Sequence, residues 1–390
     1  MKLVVLNDLH PEEAAGAASI AMRLTEVARQ RHQVEFWCSW INIKPNRVDP
    51  NTKFMNFDES DAKKRDRFIT KVYKEFFDFK SLFWIYTEIR RFRPDVVWVH
   101  QVGNRFPKTV ILLFKIMRIK VVVTSHDFGG ILPRKLFPQD LMPSNQMTLQ
   151  KNQEPFNLNL RGGILRNLVI KTRMSILREI YNLADMHFLI SNLQERIYVN
   201  FGYRIKAVVP NGVDRCVCNS YATRESRSIL FAGRDNGKGL TQLLLALREQ
   251  KGFHLHLAGS DRLLEIIAEA NYQGKVTFHG KLSQDNLFEL LHQIKFVSAL
   301  SECFDVYPSM VLEAISHGAL PLTSTRAGNS QLVEKMDPNL VIDMEKIINL
   351  NFLYDLDEGF NRYAGKHPNL ISFEDSFSIY DSFICSLEKH

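Results

Sequence analysis

The strongest constraint on the fold of this chain is a recurring alternation of short apolar runs with amphipathic segments. Lys2–Leu6, Val34–Trp37, Val96–Val99, Lys120–Thr124, Met186–Ile190 and Val208–Val209 read as strands. Most of their residues are apolar, as in strands covered on both faces. Ser19–Arg29 reads as a helix, with Ile20, Leu24, Val27 and Ala28 on one face. The pattern breaks at Met142–Gly163, rich in Asn, Gln and Pro, which reads as a long loop or lid. It resumes as a helix over 164–183 and stops again at the turn signal Pro210-Asn211-Gly212. A second series starts at Ser228. Ile229–Ala232, His254–Leu257, Val276–Phe278, Phe296–Leu300 and Leu320–Thr323 are its strands. Gly239–Arg248 is a helix with Leu240, Leu243, Leu244 and Leu247 at i, i+3, i+4 and i+7. Two successive βαβ series over 390 residues predict an α/β protein with two Rossmann-like domains. The expected domains are 1–210, joined by a C-terminal helix 373–390 that crosses back, and 211–372. Ligands of such sheets sit at the carboxyl ends of the strands, so a cleft between the halves is the expected site.

Four segments at those strand ends carry chemistry. Ser301-Glu-Cys-Phe-Asp305-Val-Tyr-Pro308-Ser309-Met310-Val311-Leu-Glu313-Ala follows the strand Phe296–Leu300. Pro308 favours a first helical turn, so a helix over Ser309–His317 would offer free N–H groups to a phosphate or sugar oxygen. Asp305 before it and Glu313 two turns on are placed to accept hydrogen bonds from sugar hydroxyls, for example of a ribose. Phe231-Ala-Gly233-Arg234-Asp-Asn-Gly-Lys238-Gly239 joins a strand to a helix and offers two cations, suited to neutralising a diphosphate. Val122-Val-Thr-Ser-His126-Asp127 ends a strand on a titratable pair. Glu13-Ala-Ala-Gly16-Ala-Ala-Ser19 has the small residues that allow close backbone approach to a ligand, but it is not G-x-G-x-x-G.

On these residues the chain resembles the retaining GT-B glycosyltransferases, family 4 (glycosyl transferases group 1). Asp305-Val-Tyr-Pro-Ser-Met-Val-Leu-Glu313-Ala is similar to the D-N-F-P-N-x-x-L-E-A variant of the family's E-x7-E signature. Arg234 to Lys238 resembles G-R-x-x-x-x-K-G with one residue fewer. Val209-Pro-Asn211-Gly-Val-Asp214 resembles the hinge strand I-P-N-G-V-D, and Val276-Thr-Phe-His-Gly280 resembles the V-x-F-x-G stretch beside the base pocket. The resemblance implies transfer of a hexose-type sugar, with retention, from a GDP- or UDP-linked donor to a hydroxyl of a glycan or lipid-linked acceptor. It implies catalytic roles for Arg234, Lys238, Asp305 and His126. It also implies donor contacts from Glu313, Ser309, Met310, Val311, Gly16, Gly233, Phe278 and Gly280. No D-x-D motif stands where a metal would be needed, so neither a divalent ion nor a cofactor is expected. A non-catalytic sugar- or lipid-binding relative remains a second reading, and a Rossmann-type sugar-nucleotide epimerase or oxidoreductase a third.

Charge is unevenly divided. Residues 1–210 hold 33 Lys and Arg against 20 Asp and Glu, whereas 211–390 hold 17 against 23. The basic first half fits an anionic membrane surface, a lipid phosphate or an acidic glycan. Lys63, Lys64, Arg65, Arg67, Lys71 and Lys74 form a basic run there. No nucleic-acid recognition motif is present. No signal peptide or spanning segment is evident, so a cytoplasmic protein, peripheral to a membrane at most, is expected. The five cysteines are odd in number and contain no C-x-x-C pair, so neither a disulfide framework nor a zinc site is suggested.

Overall fold

The computed structural model describes residues 1–13, 16–41, 49–57, 73–132, 164–214, 224–233, 236–250, 252–344, 350–363, 368 and 370–387. Arg234, the segment Met142–Gly163, the basic residues from Lys63 to Lys71, and Cys216 and Cys218 lie outside them. The chain divides into two compact units, Met1–Gly212 with Phe373–His390, and Val213–Ser372.

The first unit is built on β1 (Lys2–Leu9), β2 (Gln33–Ile41), β3 (Thr52–Phe57), β4 (Val96–Gln101), β5 (Lys120–Ser125), β6 (Met186–Leu189) and β7 (Ala207–Val208). They form a parallel sheet in the order β3-β2-β1-β4-β5-β6-β7. Leu3, Val4, Val5 and Leu6 are all fully buried, which is why the run is continuously apolar. The helix Ala17–Ala28 lays Ile20, Leu24 and Val27 on one face of the sheet. The last helix, Phe373–Ser386, packs Phe377, Tyr380 and Ile384 into the same core. It is pinned to this unit by Asp381, whose Oδ1 lies 2.6 Å from His32 Nε2 and whose Oδ2 accepts from Arg31 at 3.1 Å. The order of strands reverses between β1 and β4, so the carboxyl ends of that pair are the crevice where such sheets take ligands.

The second unit repeats the winding. β8 (Glu225–Gly233), β9 (His254–Gly259), β10 (Lys275–Phe278), β11 (Ile294–Ala299), β12 (Leu320–Ser324) and β13 (Val341–Ile342) form a parallel sheet ordered β10-β9-β8-β11-β12-β13. Its reversal falls between β8 and β11. The helix Leu240–Arg248 buries Leu240, Leu243, Leu244 and Leu247, the stripe expected from the sequence. The turn into it depends on Gly239, whose φ is +83° and where a Cβ would lie 1.7 Å from the carbonyl oxygen of Leu300.

Among the described elements, β3, β13 and the helix Phe79–Phe92 escape the apolar pattern. β3, Thr-Lys-Phe-Met-Asn-Phe, is an edge strand with half its residues wet. β13 is only two residues long. The helix Phe79–Phe92 has aromatic residues on its exposed side, so its apolar stripe does not stand out. Its ends are nonetheless conventional. Asp78 caps it by accepting from Ser81 N at 3.3 Å, and Arg90 and Arg91 lie in the last turn, where the helix dipole favours cations.

Candidate active site

In the second unit, the reversal point brings together the carboxyl ends of β8 and β11. Lys238 leaves the short helical turn after β8, and Asp305 leaves the loop after β11. Lys238 Nζ forms an ion pair with Asp305 Oδ2. The carboxylate is buried while the lysine side chain is about two-fifths exposed. Asp305 is held on every side. Ser301 Oγ donates to its Oδ2 at 3.3 Å, its N–H donates to Arg326 O at 3.1 Å, and its carbonyl accepts from Gly328 N at 2.8 Å. Arg326 in turn donates to Glu302 O at 2.7 Å, tying the loop after β12 to the loop after β11. A fixed carboxylate paired with a solvent-facing cation is a ready receptor for a ligand bearing both phosphates and hydroxyls.

The helix Ser309–Ser316 begins just beyond. Pro308 precedes its first residue, and Asn329 Nδ2 anchors Pro308 O at 2.9 Å. Ser309 and Met310 are partly exposed, whereas the Val311 side chain is fully buried in the core. Val311 can therefore meet a ligand only through its backbone. Glu313, one turn on, is half-buried, and burial pushes its carboxyl up to about 7 against the opposing effect of a hydrogen bond from the Ser309 side chain. The neighbouring strand ends are bare. Gly233 pairs with Gly259 across β8 and β9, and a Cβ on Gly259 would lie 1.7 Å from Gly233 O. Gly259 N donates to Gly280 O at 2.8 Å, and Gly280 has φ +67° with open space where a Cβ would point. Phe278 packs partly on the core. Lys238, Asp305, Ser309, Gly233 and Gly280 thus all stand at the carboxyl edge of one sheet.

In the first unit, Gly16 (φ +81°) sits at the N-cap of the helix Ala17–Ala28, with no atom within 4 Å of an added Cβ. His126 follows β5 directly. Its Nε2 lies 2.8 Å from His100 Nδ1, and the two rings stack at 5.1 Å. Burial pushes the His126 pKa down to about 4, so the ring is neutral near pH 7. Asp127 is oriented by Gln101 Nε2 at 3.0 Å and by the N–H of Gly129 at 2.7 Å.

The segment after His126 is strapped down by residues that sequence reasoning missed. Lys108 and Arg173 both donate to Gly129 O at 2.6 Å, and Tyr203 donates to Gly130 O at 2.6 Å. Both cations also bind Glu75, at 2.5 Å from Lys108 and 2.6 Å from Arg173. Burial alone would raise the Glu75 carboxyl, but Lys108 and Arg173 more than offset it and hold the pKa below the ordinary value. Asp8, fully buried at the end of β1, likewise shapes the loop after β4 by accepting from the N–H groups of Asn104, Arg105 and Phe106 at 2.7–3.1 Å. A charged residue inside an apolar strand was the one available signal for Asp8. The Glu75 triad left none, because its members are distant in sequence.

Two parallel sheets of the same winding, each reversing beside a polar loop at its strand ends, define the GT-B class. The chain belongs to glycosyltransferase family 4. The family model described as Glycosyltransferase Family 4 matches residues 14–216, and the model described as Glycosyl transferases group 1 matches residues 220–351. No curated protein matches the sequence. Among solved structures, sucrose-phosphate synthase from Thermosynechococcus elongatus is similar at 15% identity and TM-score 0.69, over 100% of this chain and 99% of that one. HepE from Anabaena, in complex with UDP and glucose, is similar at 13% identity and TM-score 0.66, over 99% and 100%. WaaG, a glycosyltransferase involved in lipopolysaccharide biosynthesis, is similar at 14% identity and TM-score 0.54, over 97% and 93%. At these identities the likeness is one of fold. The transfer of a sugar from a nucleotide-linked donor follows from the family.

Proposed function

We propose that the protein is a retaining hexosyltransferase that moves a sugar from a UDP- or GDP-linked donor to a hydroxyl of a glycan or lipid-linked acceptor, without a divalent ion. The observation that carries this reading is the Lys238–Asp305 pair, held at the reversal point of the second sheet beside the N-terminus of the helix Ser309–Ser316. In the reaction the bond from the anomeric carbon to the leaving phosphate breaks. A bond to the acceptor oxygen forms on the same face, and the acceptor proton passes to the departing diphosphate. Lys238, with Arg234, and the free N–H groups at Ser309 and Met310 stabilise the charge growing on that diphosphate. Arriving phosphates draw Lys238 away from Asp305, and the freed carboxylate accepts from sugar hydroxyls. Glu313 grips the ribose hydroxyls, and Gly233, Phe278 and Gly280 border the base. His126, as a neutral ring able to donate to a sugar oxygen, and the backbone at Gly16 are the further residues this reading assigns to the sugar. HepE was solved with UDP and with UDP-glucose, which favours a uridine donor here also. Thermal-shift screening against UDP, GDP, ADP and their sugars tests the reading. One nucleotide family should raise the midpoint by mass action, and a flat response to all would count against it.

A peripheral membrane role for the basic first half, on the cytoplasmic side, is part of this proposal. The helix Phe79–Phe92 exposes Phe79, Phe83 and Tyr86, together with Lys80 and Arg90. Exposed aromatics flanked by cations suit the headgroup region of an anionic bilayer. Among the described residues, no helix is long and apolar enough to cross a membrane. The double variant Phe79→Ser with Phe83→Ser should float less with phosphatidylglycerol vesicles than the parent, and equal flotation would remove this role.

A further inference from the structure

A cluster of imidazoles and one carboxylate stands on the second sheet, apart from the strand ends just described. His254 and His256 are alternate residues of β9, so both point to one face. Their rings are 4.0 Å apart between centroids, and both residues are more than nine-tenths buried. Glu225, the first residue of β8, reaches across to them. Its Oε1 lies 2.6 Å from His254 Nδ1 and its Oε2 lies 3.1 Å from His256 Nε2. Each histidine has its other ring nitrogen held as well. His254 Nε2 lies 2.8 Å from Thr277 Oγ1, and His256 Nδ1 lies 3.0 Å from His279 Nε2. Both of these partners come from β10 and the residue after it.

We propose that Glu225, His254 and His256 form a site for a borderline divalent transition metal, Zn2+ being the type case. The set of two imidazoles and one carboxylate is one that Zn2+ accepts. The ligand atoms lie within 4.8 Å of one another. Around a tetrahedral ion with bonds of ~2.0–2.1 Å, neighbouring ligand atoms stand about 3.3 Å apart. The 2.6 and 3.1 Å contacts, made by different oxygens of Glu225, would each open by less than one ångström to reach that spacing.

The outer partners favour the same reading. A metal-bound imidazole donates its remote N–H to a fixed acceptor, and Thr277 Oγ1 and His279 Nε2 stand in those two places. Glu225 faces the inner nitrogen of each ring. On binding, each ring would give that inner nitrogen to the metal and keep its remote N–H toward Thr277 or His279. The Glu225 side chain is about two-fifths exposed, which gives the ion a path of entry and a position for water. Lys275 Nζ, 3.7 Å from Glu225 Oε1, belongs to a largely exposed side chain that can turn away. Glu225 opens β8 and Gly233 closes it, about 26 Å further along an extended strand. The ion would therefore clamp the starts of β8 and β9 rather than touch the phosphate-binding end, and transfer should survive its removal.

The test uses untagged full-length protein stripped with a chelator. Zn2+ is titrated against a chromophoric competitor, and Co2+ is added in parallel for its visible spectrum. The parent should bind one equivalent and show the visible bands of a four-coordinate Co2+ with nitrogen and oxygen ligands. His254→Ala and Glu225→Gln should weaken binding at least about 100-fold, and Thr277→Val about 10-fold through loss of the outer acceptor. His32→Ala removes a residue of a second group, His32, Asp381 and Cys385, and should leave binding unchanged. Failure of the parent to bind Zn2+ at micromolar concentration, or a six-coordinate Co2+ spectrum, would overturn the proposal. So would equal binding by Glu225→Gln and the parent. The spectrum of the parent decides the matter even if a variant does not fold.

Discussion

Glu313 offers a quantitative test of how the ribose is held. Its carboxyl is pushed up to about 7 by burial, so it is roughly 9% ionised at pH 6 and roughly 91% at pH 8. A vicinal diol needs the ionised form as its acceptor. If the bound carboxylate stays ionised, nucleotide affinity should rise about 10-fold from pH 6 to pH 8, or about 1.4 kcal/mol. The phosphates of UDP titrate in the same range. The relevant quantity is therefore the ratio of affinities of the parent and Glu313→Gln, measured by calorimetry at pH 6, 7 and 8. The variant should show only the phosphate contribution, and the parent should show the extra 10-fold. Parallel profiles would refute the role of Glu313. Stability should move the opposite way. The folded-state pKa lies above the ordinary value of 4.5, so the contribution of Glu313 to stability is intact below about pH 4.5 and is lost as pH rises through 7. Relative to the parent, Glu313→Gln should be more stable at pH 8.5 than at pH 4 by up to about 3 kcal/mol, read from urea unfolding.

Other variants probe the scaffold. Glu75→Gln leaves Lys108 and Arg173 buried with no carboxylate between them, and should cost about 3–5 kcal/mol in urea unfolding. A loss under 1 kcal/mol would show that the triad does not hold the His126 segment. Because Lys108 and Arg173 hold the Glu75 pKa below its ordinary value, its contribution should be present at neutral pH and disappear as pH falls through that lowered value. Gly239→Ala drives a Cβ into Leu300 O at a positive φ. It should destabilise the second unit well beyond the ~1 kcal/mol of ordinary glycine replacement and displace Lys238, with loss of activity. Wild-type melting and turnover in that variant would contradict the geometry.

Much of the architecture was legible because strands covered on both faces cannot hide. Lys2–Leu6 and Ile229–Ala232 are apolar enough in their cores to be seen without homologues, and each proves longer in the structure, as Lys2–Leu9 and Glu225–Gly233. β3 and the helix Phe79–Phe92 were not legible, since wet edges and exposed aromatics erase the period. The placement of Lys238, Asp305 and Ser309 beside the sheet was readable because each follows a strand end within ten residues. The Glu75 triad joins residues far apart in sequence on helices and a turn, and Glu225 meets the local His254-x-His256 pair only because β8 lies beside β9, so the sequence announces neither set as a whole.

The central claim is that Lys238 and Arg234 receive the diphosphate of a sugar donor. Release of nucleoside diphosphate from the donor found by thermal shift, compared between the parent and Arg234→Ala with Lys238→Ala, tests it most directly. The double variant should keep the melting profile of the unliganded parent and lose at least about 1,000-fold in turnover, the scale of removing the principal stabilisers of leaving-group charge. Turnover equal to the parent in a folded double variant would contradict it.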